Sequence, residues 1–183
     1  LPAHFQTNWS SRTGSPPWKF LQQLFADSPV RAESGTLSLE ACNNETNWLE
    51  YNLQLTDPES RARVGEMNRE IVFDDENGHQ VYHHYFKLSK SSQGAGVAKT
   101  LLANSVRLYD QIGVKAVNVV AGLDVGGYAW AKYGFKPEPG EETRYLFDLV
   151  RQRLGKLDLP EAVKRTVGRL LDDDNPKAVW AVS

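Results

Sequence analysis

Leu88-Ser-Lys-Ser-Ser-Gln93-Gly94-Ala95-Gly96-Val97-Ala98-Lys-Thr-Leu-Leu102 passes from a strand pattern to a helical one across two glycines. Before it, Gln80 to Leu88 carries the β-formers Val81, Tyr82, Tyr85 and Phe86, residues that suit a pleated, half-buried surface. After it, Val97, Leu101, Ser105, Leu108 and Ile112 hold one helical stripe with Ala98 and Leu102 beside it, and Gly113 is placed to end the helix. Small residues at such a handover let backbone N–H groups approach an anion, and the helix dipole favours negative charge there. Glycines also make tight turns with no ligand at all. Lys99-Thr100 invites comparison with a nucleotide P-loop, but that motif needs glycine where Ala98 stands and opens with glycine where Gln93 stands. Nucleotide hydrolysis is therefore disfavoured, and ATP or GTP binding becomes a control.

Working outward, Leu37 and Leu39 lead into a turn at Asn43-Asn44-Glu45. Beyond it Leu49, Tyr51, Leu53 and Leu55 alternate with Glu50, Asn52 and Gln54. This is the period of a half-buried antiparallel strand. Asp57 to Ser60 breaks it, a further strand includes Met67, Ile71 and Phe73, and Asp74 to Gly78 reads as a hairpin turn. Downstream, Val114 to Ala121 reads as a short strand and Gly122 to Phe135 as a helix closed by Gly134. The order predicts an α/β (α+β) protein with a mixed, mostly antiparallel sheet and crossover helices. The stretch up to Gly35 is rich in Ser and Pro and holds a short helix on Trp18, Leu21, Leu24 and Phe25, entered through Pro16-Pro17. In the tail Tyr145 to Val150 reads either as a strand or as the middle of a helix beginning near Glu141, the helix being favoured. A second runs from Pro160 to Leu171 with Asp158 as N-cap, and Asp172 to Asp174 forms a solvated turn.

Composition sets the frame. The 183 residues are 40% hydrophobic and 24% charged with a net charge of −2, the profile of a globular domain. Cys42, the single cysteine, excludes an internal disulfide and a multi-cysteine zinc site. No apolar run approaches the ~18 residues of a spanning helix, and no global basic field points to nucleic acid or an anionic membrane. The opening Leu suggests an excised or processed piece.

Gln93, Gly96 and Ala98 spell Q-x-x-G-x-A, which resembles the acyl-CoA loop of the GNAT N-acetyltransferase superfamily. Leu88 stands five positions ahead on the preceding strand, and Gly134-Phe135 matches the family's closing landmark. The resemblance covers Leu37 to Pro137. It implies an acyl-CoA N-acyltransferase-like core over 37–137, an N-terminal segment 1–36 packed on it, and a helical extension 138–183. It further implies acetyl-CoA as cosubstrate. The backbone amides of Gln93, Gly94, Ala95, Gly96, Val97 and Ala98 would hold the pyrophosphate, and Gly96 would have to stay small. The strands Gln80 to Leu88 and Val114 to Ala121 would splay into a slot for the pantetheine arm, lined by Leu88 and Trp130.

Acetyl transfer to an amine needs a neutral amine, a polarised thioester and a proton for the leaving thiolate. His84, nine positions before Gln93, is the candidate base. By parity it shares a strand face with Phe86 and Leu88, while His83 faces the other way, so the two do not chelate a metal together. With His4 and His79 isolated, no metal is expected. The family's acid tyrosine falls on Trp130, its asparagine on Leu123 and its alanine on Gly126. Indole is no acid, so Tyr128 is the substitute, with Tyr133 an alternative that also reads as core. Glu66, Glu70 and Asp124 are secondary candidates for binding the amine. Trp48 and Trp130 read as core or slot wall rather than a stacking platform. The expected activity is acetyl transfer from acetyl-CoA to an amine of a small molecule or protein. Aminoacyl-tRNA is a less favoured acceptor, no membrane partner is expected, and the site of action is expected to be cytoplasmic. A non-catalytic module of the same architecture and an excised effector or toxin domain are the alternatives.

Overall fold

The computed structural model describes residues 9–42, 46–120, 126–172, 175–178 and 180, with backbone alone over 37–42, 46–47 and 126–128. The chain divides into two compact units, residues 1–120 and 121–183.

In the first unit, a helical turn over residues 9–13 precedes helix α1 (Pro17–Leu24). Proline suits its first turn because an N–H there has no intrahelical acceptor. Five strands follow: β1 (Arg31–Cys42), β2 (Thr46–Thr56), β3 (Arg63–Phe73), β4 (His79–Leu88) and β5 (Val114–Val119). Helix α2 (Val97–Gln111) connects β4 to β5. The strands lie in sequence order, the first four antiparallel and β5 parallel to β4. This is the mixed, mostly antiparallel sheet that the alternating pattern predicts. The first strand starts at Arg31, earlier than the alternation beginning at Gly35, because its early rungs pair with Gln54 to Thr56 rather than relying on apolar side chains.

One face of the sheet buries Leu49, Tyr51, Leu53, Leu55, Met67, Ile71, Phe73 and Val81. Against it pack Phe20 and Leu24 of α1, Val97, Leu101, Leu108 and Tyr109 of α2, and Trp9, whose ring meets Phe20 edge-on at 5.3 Å. Asn104 ties the two helices together. Its buried Nδ2 donates to the carbonyls of Leu24 at 3.0 Å and Ala26 at 2.7 Å, satisfying the C-terminus of α1. The opposite face carries Glu50, Asn52, Gln54, Asn68, Glu70, Tyr82 and Lys87, the polar half of the alternation.

Two turns are held by aspartates. Asp74 Oδ1 accepts from the N–H groups of Glu76 (2.9 Å) and Asn77 (2.8 Å), and Asp57 Oδ1 accepts from those of Glu59 (3.1 Å) and Ser60 (2.7 Å). These bonds favour the ionised form and hold both carboxyls below their ordinary range. Gly65 is required by packing, since a Cβ there would run into the Lys87 carbonyl on β4.

The second unit contains α3 (Gly126–Lys132), α4 (Glu141–Lys156) and α5 (Glu161–Leu171). Phe147, Leu171 and Ala178 form its buried cluster. Arg151 donates to the Leu171 carbonyl at 2.6 Å and pairs with Asp148 at 2.9 Å, so a guanidinium satisfies the C-terminal end of α5. The expected N-cap at Asp158 is not observed. Pro160 occupies that position with no side-chain cap bond, because the chain enters α5 through proline's fixed φ. Among the described residues, no helix is long and apolar enough to cross a membrane.

Candidate active site

The site begins where β4 and β5 part. Their parallel pairing runs from His79 with Val114 to His83 with Val119. Beyond it, residues 84–88 of β4 have no partner on β5. The break coincides with a bulge: Arg69 of β3 pairs with His83 and Asn68 pairs with Tyr85, leaving His84 as the extra residue on β4. A bulge bends its strand and strengthens the local twist. The expected splay would extend through Ala121, which lies outside the described residues.

The bulge also corrects the parity argument for His84. Met67 faces Phe86 and Gly65 faces Leu88, while Ile71 faces Val81 and Arg69 faces His83. His83, not His84, therefore shares the core face with Phe86 and Leu88. His84 turns to the polar face, where Nε2 lies 2.8 Å from Glu70 Oε2 and the ring stacks on Tyr82 at 6.1 Å between centroids. A carboxylate on one nitrogen fixes the ring's orientation. The sequence suggests Glu70 only as an amine ligand; its pairing with His84 depends on a contact across two strands that no local spacing reveals.

The open edge has defined chemistry. The Ser89 N–H donates to the Val64 carbonyl at 2.7 Å. Alternation in an antiparallel ladder then directs the main-chain groups of Leu88 and Phe86 away from β3, toward the gap beside β5. Gln93 Nε2 donates to the Leu88 carbonyl at 3.0 Å, so the loop docks onto the end of this edge.

In the loop, Gly94 (φ 81°) and Gly96 (φ 79°) adopt the left-handed conformation, and a Cβ at either would meet nothing within 4 Å. Gly96 is the N-cap of α2 and has no side chain to cap the helix, and the first turn carries no acidic residue. The Thr100 N–H is the first to reach back into the loop, donating to the Gly96 carbonyl at 3.0 Å. Among the described residues, the N–H groups of Gly94 to Lys99 meet no backbone carbonyl. Val97 is buried in the core and anchors this turn, while Gln93, Gly94, Ala95 and Gly96 are exposed. N–H groups without backbone acceptors at a helix N-terminus, with Lys99 in the first turn, suit a phosphate.

Behind the bulge lies a buried polar cluster that sequence patterns do not reveal. Tyr51 Oη and Tyr109 Oη are 3.1 Å apart, and His83 Nε2 is 3.0 Å from Tyr109 Oη. Burial, reinforced by the positive charge of Arg69, pushes the His83 imidazolium down to about 2, so the ring is neutral. Burial raises both tyrosines.

Tyr128 and Trp130 belong to the second unit. Trp130 meets Phe135 edge-on at 5.1 Å and Tyr133 at 6.5 Å. Leu123 and Asp124 lie outside the described residues. Glu66 is engaged by Arg63. Among the described residues no group of three or more His, Cys, Asp or Glu side chains is placed to hold a metal ion.

No protein-family model matches the sequence, and no curated protein matches it. Solved structures similar to this chain include an aminoglycoside acetyltransferase from an uncultured soil metagenomic sample. In complex with sisomicin it is 18% identical over 71% of this chain and 72% of that one, with a TM-score of 0.37. In complex with trehalose it is 19% identical over 64% and 76%, also at 0.37. An integron cassette protein from the mobile metagenome of V. cholerae is 14% identical over 53% and 65%, at 0.38. At such values the functional reading rests on this chain's own loop, strand edge and histidine.

Proposed function

We propose that the chain is an acyltransferase that moves an acetyl group from acetyl-CoA to an amine. The observation that carries this reading is the adjacency of two features among the described residues: a β4 edge over residues 84–88 without a β5 partner, and a loop directly after it in which the N–H groups from Gly94 to Lys99 meet no backbone carbonyl. The loop suits a pyrophosphate, and the main-chain groups of Phe86 suit an extended chain carrying amides, added as a strand. Leu88 and Val97 fix the two ends of that cradle. When bound, acetyl-CoA would supply an activated acyl group.

The chain's own residues supply the remainder. His84, oriented by Glu70, takes a proton from the attacking amine nitrogen as the C–N bond forms and the C–S bond breaks. Tyr128 is the proposed donor to the departing sulfur. Glu70, beside His84 on the polar face, favours a cationic amine, from a small molecule or a protein. The non-catalytic reading draws on one feature, Trp130 in place of the family's acid, and predicts binding without turnover.

Calorimetry with acetyl-CoA and CoA, with ATP as control, tests the reading. Binding of both CoA species, lost in a folded Gly96→Glu variant, is the expected result. Absence of binding to the parent protein, or equal binding by the variant, refutes it. Thioester consumption across a panel of amines then separates enzyme from binding module.

A further inference from the structure

Arg69 is 3% exposed, in the core of a sheet. A guanidinium is costly to remove from water unless its donors are used. Its Nη1 donates to the carbonyls of Asn68 at 2.7 Å and Tyr85 at 2.5 Å. These belong to the rung of the β3–β4 ladder that adjoins the bulge, where the register shifts between Asn68 and Arg69. The guanidinium also lies over the Phe86 ring, 5.6 Å from its centroid. One side chain therefore staples both strands at the shift and braces the residue that presents the open edge.

We propose that Arg69 is a positioning residue that fixes the β4 bulge at His84 and thereby holds open the strand edge beside the glycine loop. An extra residue in a ladder can sit at any of several rungs unless something specifies one. A core cation with two carbonyl acceptors at a single rung is such a specification. The position of the bulge decides which residues of β4 face the gap and which pair with β5. Moved one rung toward the start of β4, it would pair His84 with Arg69 and turn His84 off the polar face; moved one rung the other way, it would make Tyr85 the extra residue and part it from Asn68. The consequence for ligand binding rests on the acyl-CoA reading above; the placement of the bulge does not.

Amide hydrogen exchange resolved by residue tests the placement without any ligand. In Arg69→Met, similar in volume but with no donor, we expect exchange at least about tenfold faster at Asn68, His83 and Tyr85, with β1–β2 amides unchanged. Deleting His84 in the Arg69→Met background restores a continuous ladder that needs no staple, and the protection returns. Should Arg69→Met fail to fold, the double variant decides the matter by its own folding, since it is expected to be the more stable of the two. Arg69→Lys keeps a donor in place, and its exchange follows the parent. Parent-like exchange in Arg69→Met, or a double variant no more protected and no more stable than Arg69→Met, overturns the proposal. CoA titration of the same proteins is the second arm, with at least about tenfold weaker binding expected for Arg69→Met and recovery in Arg69→Lys. A parent protein that binds no CoA removes the acyltransferase reading and leaves the exchange result to decide the role of Arg69.

Discussion

Acid should destabilise this protein through His83 earlier than its carboxylates alone would. The ring is buried, bonded to Tyr109 Oη at 3.0 Å and close to the charge of Arg69, and it is held neutral down to about pH 2. The unfolded chain takes up a proton at this residue near the ordinary value of 6.5. Between those limits the unfolded state carries more protons, so stability rises with pH. The contribution is complete above 6.5 and is lost as the pH falls. A single such group costs at most about 1.4 kcal/mol per pH unit, which amounts to roughly 2 kcal/mol by pH 5. The assay is urea denaturation of the parent and of His83→Gln from pH 7.5 to 4.5. The variant begins from a lower stability, having lost an imidazole that fits the cluster, but its curve against pH should be shallower by the amount stated. Parallel curves for the two proteins would refute the buried neutral histidine.

His84→Ala is expected to lower turnover about 10²- to 10⁴-fold with little change in CoA affinity, as for loss of a general base; equal turnover removes it from the mechanism. Glu70→Gln should lower turnover less, because the imidazole remains. Asn104→Ala leaves the Leu24 and Ala26 carbonyls without their donor and should cost about 2 kcal/mol in denaturant unfolding. Gly65→Ala forces a methyl group against the Lys87 carbonyl and should destabilise by about 1–3 kcal/mol, measured in the same way.

The elements are legible in the sequence because each has a short-range signal. Leu49, Tyr51, Leu53 and Leu55 alternate, Asp74 to Gly78 forms the turn, and Val97, Leu101 and Leu108 mark the buried stripe of α2. The loop is legible for the same reason, since Gly94 and Gly96 need φ values that side chains resist. The face of His84 is not. Counting by twos along β4 holds only while the ladder is regular, and the bulge inserts one residue in mid-strand. Nothing in HQVYHHYFKL announces it, because its cause lies across the sheet at Arg69. The buried cluster of Tyr51, Tyr109 and His83 is hidden likewise, its members coming from β2, α2 and β4. Asp158 fails as an N-cap because a good capping residue two positions too early has no helical N–H within reach.

The bond between Asn104 and Leu24 spans 80 residues of chain. It has a consequence for the order in which the protein is made. The sheet grows from hairpins between neighbours in sequence, whose contacts close quickly. Helix α1 is completed in two stages: Tyr51 of β2, which meets the Phe20 ring edge-on at 5.9 Å, follows it closely, whereas Asn104 of α2 leaves the ribosome long after. At synthesis rates of about 5–20 residues per second, the C-terminal carbonyls of α1 wait roughly 4–16 s for the Asn104 side chain. Until then the carbonyls of Leu24 and Ala26 are left to water, and the arrival of Asn104 closes the end of the helix.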